Sequence, residues 1–143
     1  MAEALMNHLG RGQFQAFSAG SAPAGFVHPM AITVLQKAKI PTEGLTSKSW
    51  TQYAGETFDF VITVCDRTQE SCPIFPGQPI SAHWGLKDPA EAIGTEEEKE
   101  KVFRRCFTEI KTRVGLLLAL PMDYMTPDEI TKKVQEIGQS LSD

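Results

Sequence analysis

The stretch FDFVITV at residues 58–64 constrains the fold more than any other part of the chain. It is rich in β-branched and aromatic residues and almost unbroken in hydrophobicity, whereas a strand with one wet face alternates apolar and polar side chains. Such a strand expects cover on both faces, which helices packed on a mostly parallel sheet provide, so the predicted class is α/β. The rest of the chain supplies those helices. Residues 1–9 carry apolar side chains at positions 1, 4, 5, 6 and 9, with Gly10 where a helix ends. Pro29 suits a first helical turn, and Met30, Val34 and Leu35 continue an apolar stripe toward Ile40, where Pro41 stops it. Thr95 and Glu98 form the S/T-x-x-E box that opens a long helix. Along it Val102, Phe103, Cys106, Phe107, Ile110, Val114 and Leu117 recur at helical spacing, and this helix is expected to pack along the sheet. Thr126-Pro127-Asp128-Glu129 opens a last helix. Weaker strands are expected at residues 14–18, before the turn-forming SAGSAPAG, and at residues 80–84.

The chain has 143 residues, with no internal repeat or Pro/Ser-rich linker, and reads as a single domain over residues 1–143. A net charge of -4 and the lack of a Lys/Arg stripe give no reason to expect nucleic acid as a partner. The longest apolar run, residues 114–120, is far short of the roughly 20 residues a bilayer span needs, so no membrane segment is expected. MAEALMNHLG has no basic region ahead of an apolar stretch and does not read as a secretory signal, so a cytoplasmic location is expected.

The chain has three cysteines, too few for a disulfide scaffold. Cys65 stands where the strong strand runs out, and the carboxyl ends of strands are where open α/β sheets gather ligands and catalytic groups. Six residues separate it from Cys72. That spacing is too long for a C-x-x-C turn or a zinc knuckle, but a loop that folds back can bridge it, because a disulfide needs Cα atoms only about 5–6 Å apart. A lone cysteine after a strand is as readily core as chemistry; its pairing with Cys72 in a polar loop favours redox use. Cys106, on the apolar stripe of the long helix, is expected in the core. Pro89 pushes Asp88 into an extended conformation, which suits a carboxylate presented over a site and equally a turn aspartate capping nearby amides. His8, His28 and His83 make no ligand cluster and are assigned packing or surface roles, with His83 and Trp84 as core and loop anchors.

Several segments together resemble a known family. MAEAL at 1–5, FSAGSAPAG at 17–25, VITVCDRTQESCP at 61–73, HWGLKDPA at 83–90, GTEEEKEKVFRRCFTEI at 94–110 and the tail from residue 116 to 138 are similar to thioredoxin-type arsenate reductases of the low-molecular-weight protein tyrosine phosphatase superfamily. The C-x6-C-P and HWG…DPA segments distinguish the reductases from the phosphatases. The resemblance implies a three-layer fold, a parallel sheet flanked by helices, and a relay of three thiols. A cysteine in a C-x5-R phosphate-binding loop attacks arsenate and an aspartate protonates the departing hydroxide. A second cysteine releases arsenite, and a third presents the disulfide to thioredoxin or a similar thiol donor. Cys65 matches the second thiol, Cys72 the third and Asp88 the general acid. No tightly bound cofactor is implied. Some members hold a potassium ion near the loop, and Glu3 and Ser18 match two of its ligands.

One part of the pattern is missing. Six positions after Cys65, Cys72 and Cys106 stand Ser71, Gln78 and Thr112, so residues 1–143 contain no C-x5-R. The family places that loop, and the strand before it, directly ahead of the helix matching MAEAL. The strand would lie between those expected at 14–18 and 58–64, and without it their edges face a gap unless another chain, such as a second copy in a homodimer, fills it or the sheet closes up. Three readings stand: Met1 is a mis-assigned start or a truncation, the chain is a degenerate member working with a partner, or the fold is reorganised. The expected function is arsenate reduction in arsenic detoxification, with the reducing half present here. The alternatives are a non-catalytic interaction or redox module, or a phosphatase relative, against which the C-x6-C pair argues.

Overall fold

The computed structural model of the chain describes residues 1–20, 25–65, 76, 77 and 79–139. Among them the order is α1 (Ala2–Leu9), α2 (Pro29–Lys37), β1 (Phe60–Cys65), β2 (Ile80–Leu86), α3 (Glu96–Leu118) and α4 (Pro127–Gln139), with 3₁₀ turns at Trp50–Tyr53, Pro89–Glu91 and Met122–Tyr124. β1 and β2 pair in parallel, as the alternation of elements predicts, with Phe60 opposite Ile80 and Thr63 opposite His83. A bulge after Thr63 then brings Cys65 opposite Leu86, the kind of irregularity that re-aims a strand at its end.

The helix ends follow local chemistry. Thr95 Oγ1 accepts the Glu98 N–H at 3.1 Å, and glutamates 96–98 occupy the positive end of α3. At α4 the exchange is reciprocal: Thr126 Oγ1 accepts from Glu129 N–H at 3.2 Å and Glu129 Oε1 accepts from Thr126 N–H at 3.1 Å. α2 begins with Pro29, but its cap is His28, whose Nδ1 accepts the Met30 N–H at 3.1 Å. The His28 ring also lies against Phe103, centroids 4.6 Å apart, so the packing role expected of this histidine is observed.

The core joins Leu5 of α1, Val34 and Leu35 of α2, Trp84 and Leu86 of β2, Phe103, Phe107, Ile110, Val114 and Leu117 of α3, and Val134 and Ile137 of α4. α1 and α2 pack on α3, and α4 lies against β2. The seat of α4 is tight. Trp84 Nε1–H donates to the Val134 carbonyl at 2.9 Å, and a Cβ on Gly138 would fall 2.6 Å from Trp84 Cδ1 and 2.7 Å from the His83 carbonyl oxygen. Trp84 is thus the anchor expected of it. α3 reaches the sheet through Arg113, which is 2% exposed and donates from Nη1 to the Trp84 carbonyl at 3.2 Å.

Two expectations are corrected. Residues 14–18 form no strand. The backbone of Ala16 is bound by the Asn7 side chain instead, with Nδ2 donating to the Ala16 carbonyl (3.0 Å) and Oδ1 accepting its N–H (2.7 Å), so one amide stands in for a ladder partner. Beyond it, the only bridge among the described residues at this edge joins Gly20 to Ser49. Side chains hold the segment in place: Phe14 meets Phe60 with ring centroids 5.8 Å apart, and Phe17 meets Tyr53 and Phe58 at 5.5 and 6.1 Å. The second correction concerns β1. Its residues 60–63 are only half-buried, and Val64 is 40% exposed. A strand is covered by its neighbours in the sheet as well as by helices, and among the described residues β1 has one neighbouring strand, β2.

Candidate active site

Two of the residues singled out from sequence come to the carboxyl end of the β1–β2 pair. Cys65 closes β1, and Leu86, its partner in the ladder, closes β2 two residues before Asp88. Asp88 is exposed and extended (φ -66°, ψ 114°), as the following proline requires. Its Oδ1 accepts the Ala90 N–H at 2.9 Å and caps the turn Pro89–Glu91. The capping role and the loop carboxylate therefore coincide in one residue, beside the strand end that carries Cys65. Cys72, with all of residues 66–75, lies outside the described residues.

Just below this end, Thr63 Oγ1 and His83 Nδ1 share a hydrogen bond of 2.5 Å across the two strands. The His83 ring lies over Gly85, where a Cβ would come within 2.9 Å of Nε2. The bond fixes the ring and determines which nitrogen faces Thr63.

Cys106 is in the core, as its place on the helical stripe predicts, at 8% exposure. Burial, aided by the Glu109 carboxylate, pushes its thiol up to about 11. Such a thiol is ionised to about one part in a thousand at pH 8, so Cys106 should react with iodoacetamide at least about 100-fold more slowly than an unfolded cysteine. Reaction at the unfolded rate would contradict that burial. The same shift sets a pH dependence. The folded thiol keeps its proton up to about 11 and the unfolded one up to about 9. This contribution to stability is therefore full below pH 9 and is lost as pH rises from 9 through 11.

Glu3 and Ser18, matched by resemblance to potassium ligands, are brought together: Ser18 Oγ donates to Glu3 Oε1 at 2.7 Å. The third group present is a cation of the chain itself. Lys48 Nζ stands 3.4 Å from Glu3 Oε1 and also donates to the Thr46 carbonyl at 3.4 Å. The Glu3 and Lys48 side chains are only 11% and 13% exposed. Potassium takes a shell of oxygen donors; here the carboxylate oxygen that Ser18 binds already faces an ammonium. Among the described residues no group of three His, Cys, Asp or Glu side chains is placed to hold a metal ion.

A helical sequence of this length around a short parallel pair, with cysteine at the strand end and the acid after the next strand, invites comparison with known proteins. The family model described as low molecular weight phosphotyrosine protein phosphatase matches residues 1–136. The chain belongs to this phosphatase family. Within the family its relatives include arsenate reductases. One from Halalkalibacterium halodurans is 36% identical over 102 residues, covering 71% of this chain and 73% of the relative. Another, from Bacillus subtilis, is 32% identical over 114 residues, covering 80% and 81%. A solved arsenate reductase in the reduced state superposes with a TM-score of 0.61 at 27% identity, covering 82% of this chain and 85% of that one. A second, from Archaeoglobus fulgidus, shares the fold, with a TM-score of 0.58 at 24% identity over 80% of this chain and 87% of that one. The phosphatase-family α/β fold predicted from sequence is thereby established.

Sequence reasoning missed Lys48, the Thr63–His83 bond and Asn7. Strand alternation offered a signal for Thr63, which stands two residues before Cys65. Lys48 offered none, being a loop residue 45 positions from the carboxylate it reaches.

Proposed function

We propose that this chain carries the reducing half of a cysteine relay that converts arsenate to arsenite, serving arsenic detoxification in the cytoplasm. The observation that carries the proposal is the likeness to arsenate reductases over most of the chain, in a sequence that keeps C-x6-C-P directly after its strongest strand. The chemistry balances with two electrons. A first thiolate, from a C-x5-R loop outside residues 1–143, bonds to As(V), and one oxygen leaves as water after Asp88 gives it a proton. The Cys65 thiolate then attacks the sulfur bound to arsenic; the S–As pair stays on arsenic, arsenite departs as As(III), and a disulfide forms. Cys72 attacks that disulfide, frees the first thiol and leaves a Cys65–Cys72 bond for a thioredoxin-like dithiol to reduce. A second copy of the chain is the proposed cover for the edge of β1 that has no neighbouring strand among the described residues.

The thiol half is testable without arsenate. The oxidised chain, given thioredoxin, thioredoxin reductase and NADPH, is expected to consume one NADPH per chain. C65S and C72S variants are expected to consume none through an intrachain bond. Equal consumption by the variants would overturn the assignment of the pair.

A further inference from the structure

We propose that Lys48 is the resident cation of this fold, its ammonium taking the place beside Glu3 that a potassium ion was expected to fill, so that the chain needs no monovalent metal. The inference stands on the α1 region alone and does not depend on the arsenate chemistry.

Three segments meet at the Glu3 carboxylate: α1, which carries it, the segment holding Ser18, and the loop holding Lys48. The same loop is tied back to the chain after Ser18, because Gly20 N–H donates to the Lys48 carbonyl at 2.9 Å and Trp50 N–H to the Gly20 carbonyl at 3.0 Å. A largely buried carboxylate at such a junction demands a positive partner, since stripping it of water without one is costly. The ammonium meets that demand with a single fixed charge. A potassium ion added here would stand within a few ångströms of that ammonium, and two like charges at that range in a partly buried site repel strongly. The hydroxyl of Ser18 completes the arrangement by donating to the same oxygen that the ammonium faces.

The test compares thermal unfolding of the 143-residue chain in potassium, sodium and tetramethylammonium chloride at equal ionic strength, together with K48M and E3Q/K48M variants. The wild-type midpoints are expected to agree within about 1 °C across the three salts, while K48M, which strands the carboxylate, loses about 10 °C. Removing the stranded charge as well should return at least half of that loss. A wild-type midpoint several degrees higher in potassium than in the other salts would overturn the proposal. So would a K48M chain as stable as wild type, or a double variant no more stable than K48M. Should K48M fail to fold, the wild-type salt series and the folding of E3Q/K48M decide the matter.

Discussion

Incubated with arsenate, thioredoxin, thioredoxin reductase and NADPH, residues 1–143 are expected to release no arsenite above the uncatalysed rate. The reason is chemical and local. Reduction begins when a thiolate bonds to arsenic inside a nest of backbone amides with an arginine to hold the oxyanion. No cysteine in this chain has an arginine six positions on. Cys106 cannot substitute, being buried in α3 with its thiol held protonated to about 11. Joining a strand and a C-x5-R loop ahead of residue 1 should therefore turn the reaction on. That activity should vanish in C65S or C72S and fall about 100-fold or more in D88N, the range general-acid catalysis supplies. Arsenite production by residues 1–143 themselves would show that the nucleophile has been misassigned.

The joint between Trp84 and α4 should dominate stability. Trp84→Ala removes a side chain that is 4% exposed and bonded to the Val134 carbonyl, and a loss of about 4 kcal/mol is expected from cavity and hydrogen bond together. Gly138→Ala provides a sharper check, because in an exposed helix that change adds stability. Here the new methyl would fall 2.6 Å from Trp84 Cδ1 and 2.7 Å from the His83 carbonyl. Backbone on one side and a buried indole on the other cannot both yield, so a net loss of about 2 kcal/mol is expected. Urea unfolding of the two variants measures both values, and a Gly138→Ala chain more stable than wild type would contradict the packing described.

The helices were legible in the sequence because their signals are local. Thr95, Thr126 and Pro29 mark starts that the structure uses, and Gly10 marks an end, its N–H donating to the Met6 carbonyl at 2.8 Å. The parallel pair was legible too, since FDFVITV has few other uses. Pairing beyond that was not. Whether residues 14–18 join a sheet depends on what lies beside them, and the Asn7 amide satisfies Ala16 from nine residues away, which no periodicity records. Burial of β1 failed for the same reason: hydrophobicity states what a strand seeks, and its neighbours decide what it receives.

The site was legible in part. Cys65 at the strand end and Asp88 before its proline follow from residue type and position, and both appear where the strand order puts them. Glu3 and Ser18 were named together and are found together, yet the charge that completes them, Lys48, comes from a loop whose placement only the fold determines. Asp88, the proposed proton donor, is also a turn cap. Its bond to the Ala90 N–H holds the carboxyl at a fixed point just after β2.

The central claim is that Cys65 and Cys72 form the redox pair, with Cys106 outside it. Proteolysis of the oxidised chain followed by mass-spectrometric mapping of its disulfides tests this directly. The account predicts one intrachain bond, joining Cys65 to Cys72, with Cys106 recovered as a free thiol. A bond to Cys106, or a chain that retains three free thiols under oxidation that closes ordinary dithiols, would contradict it.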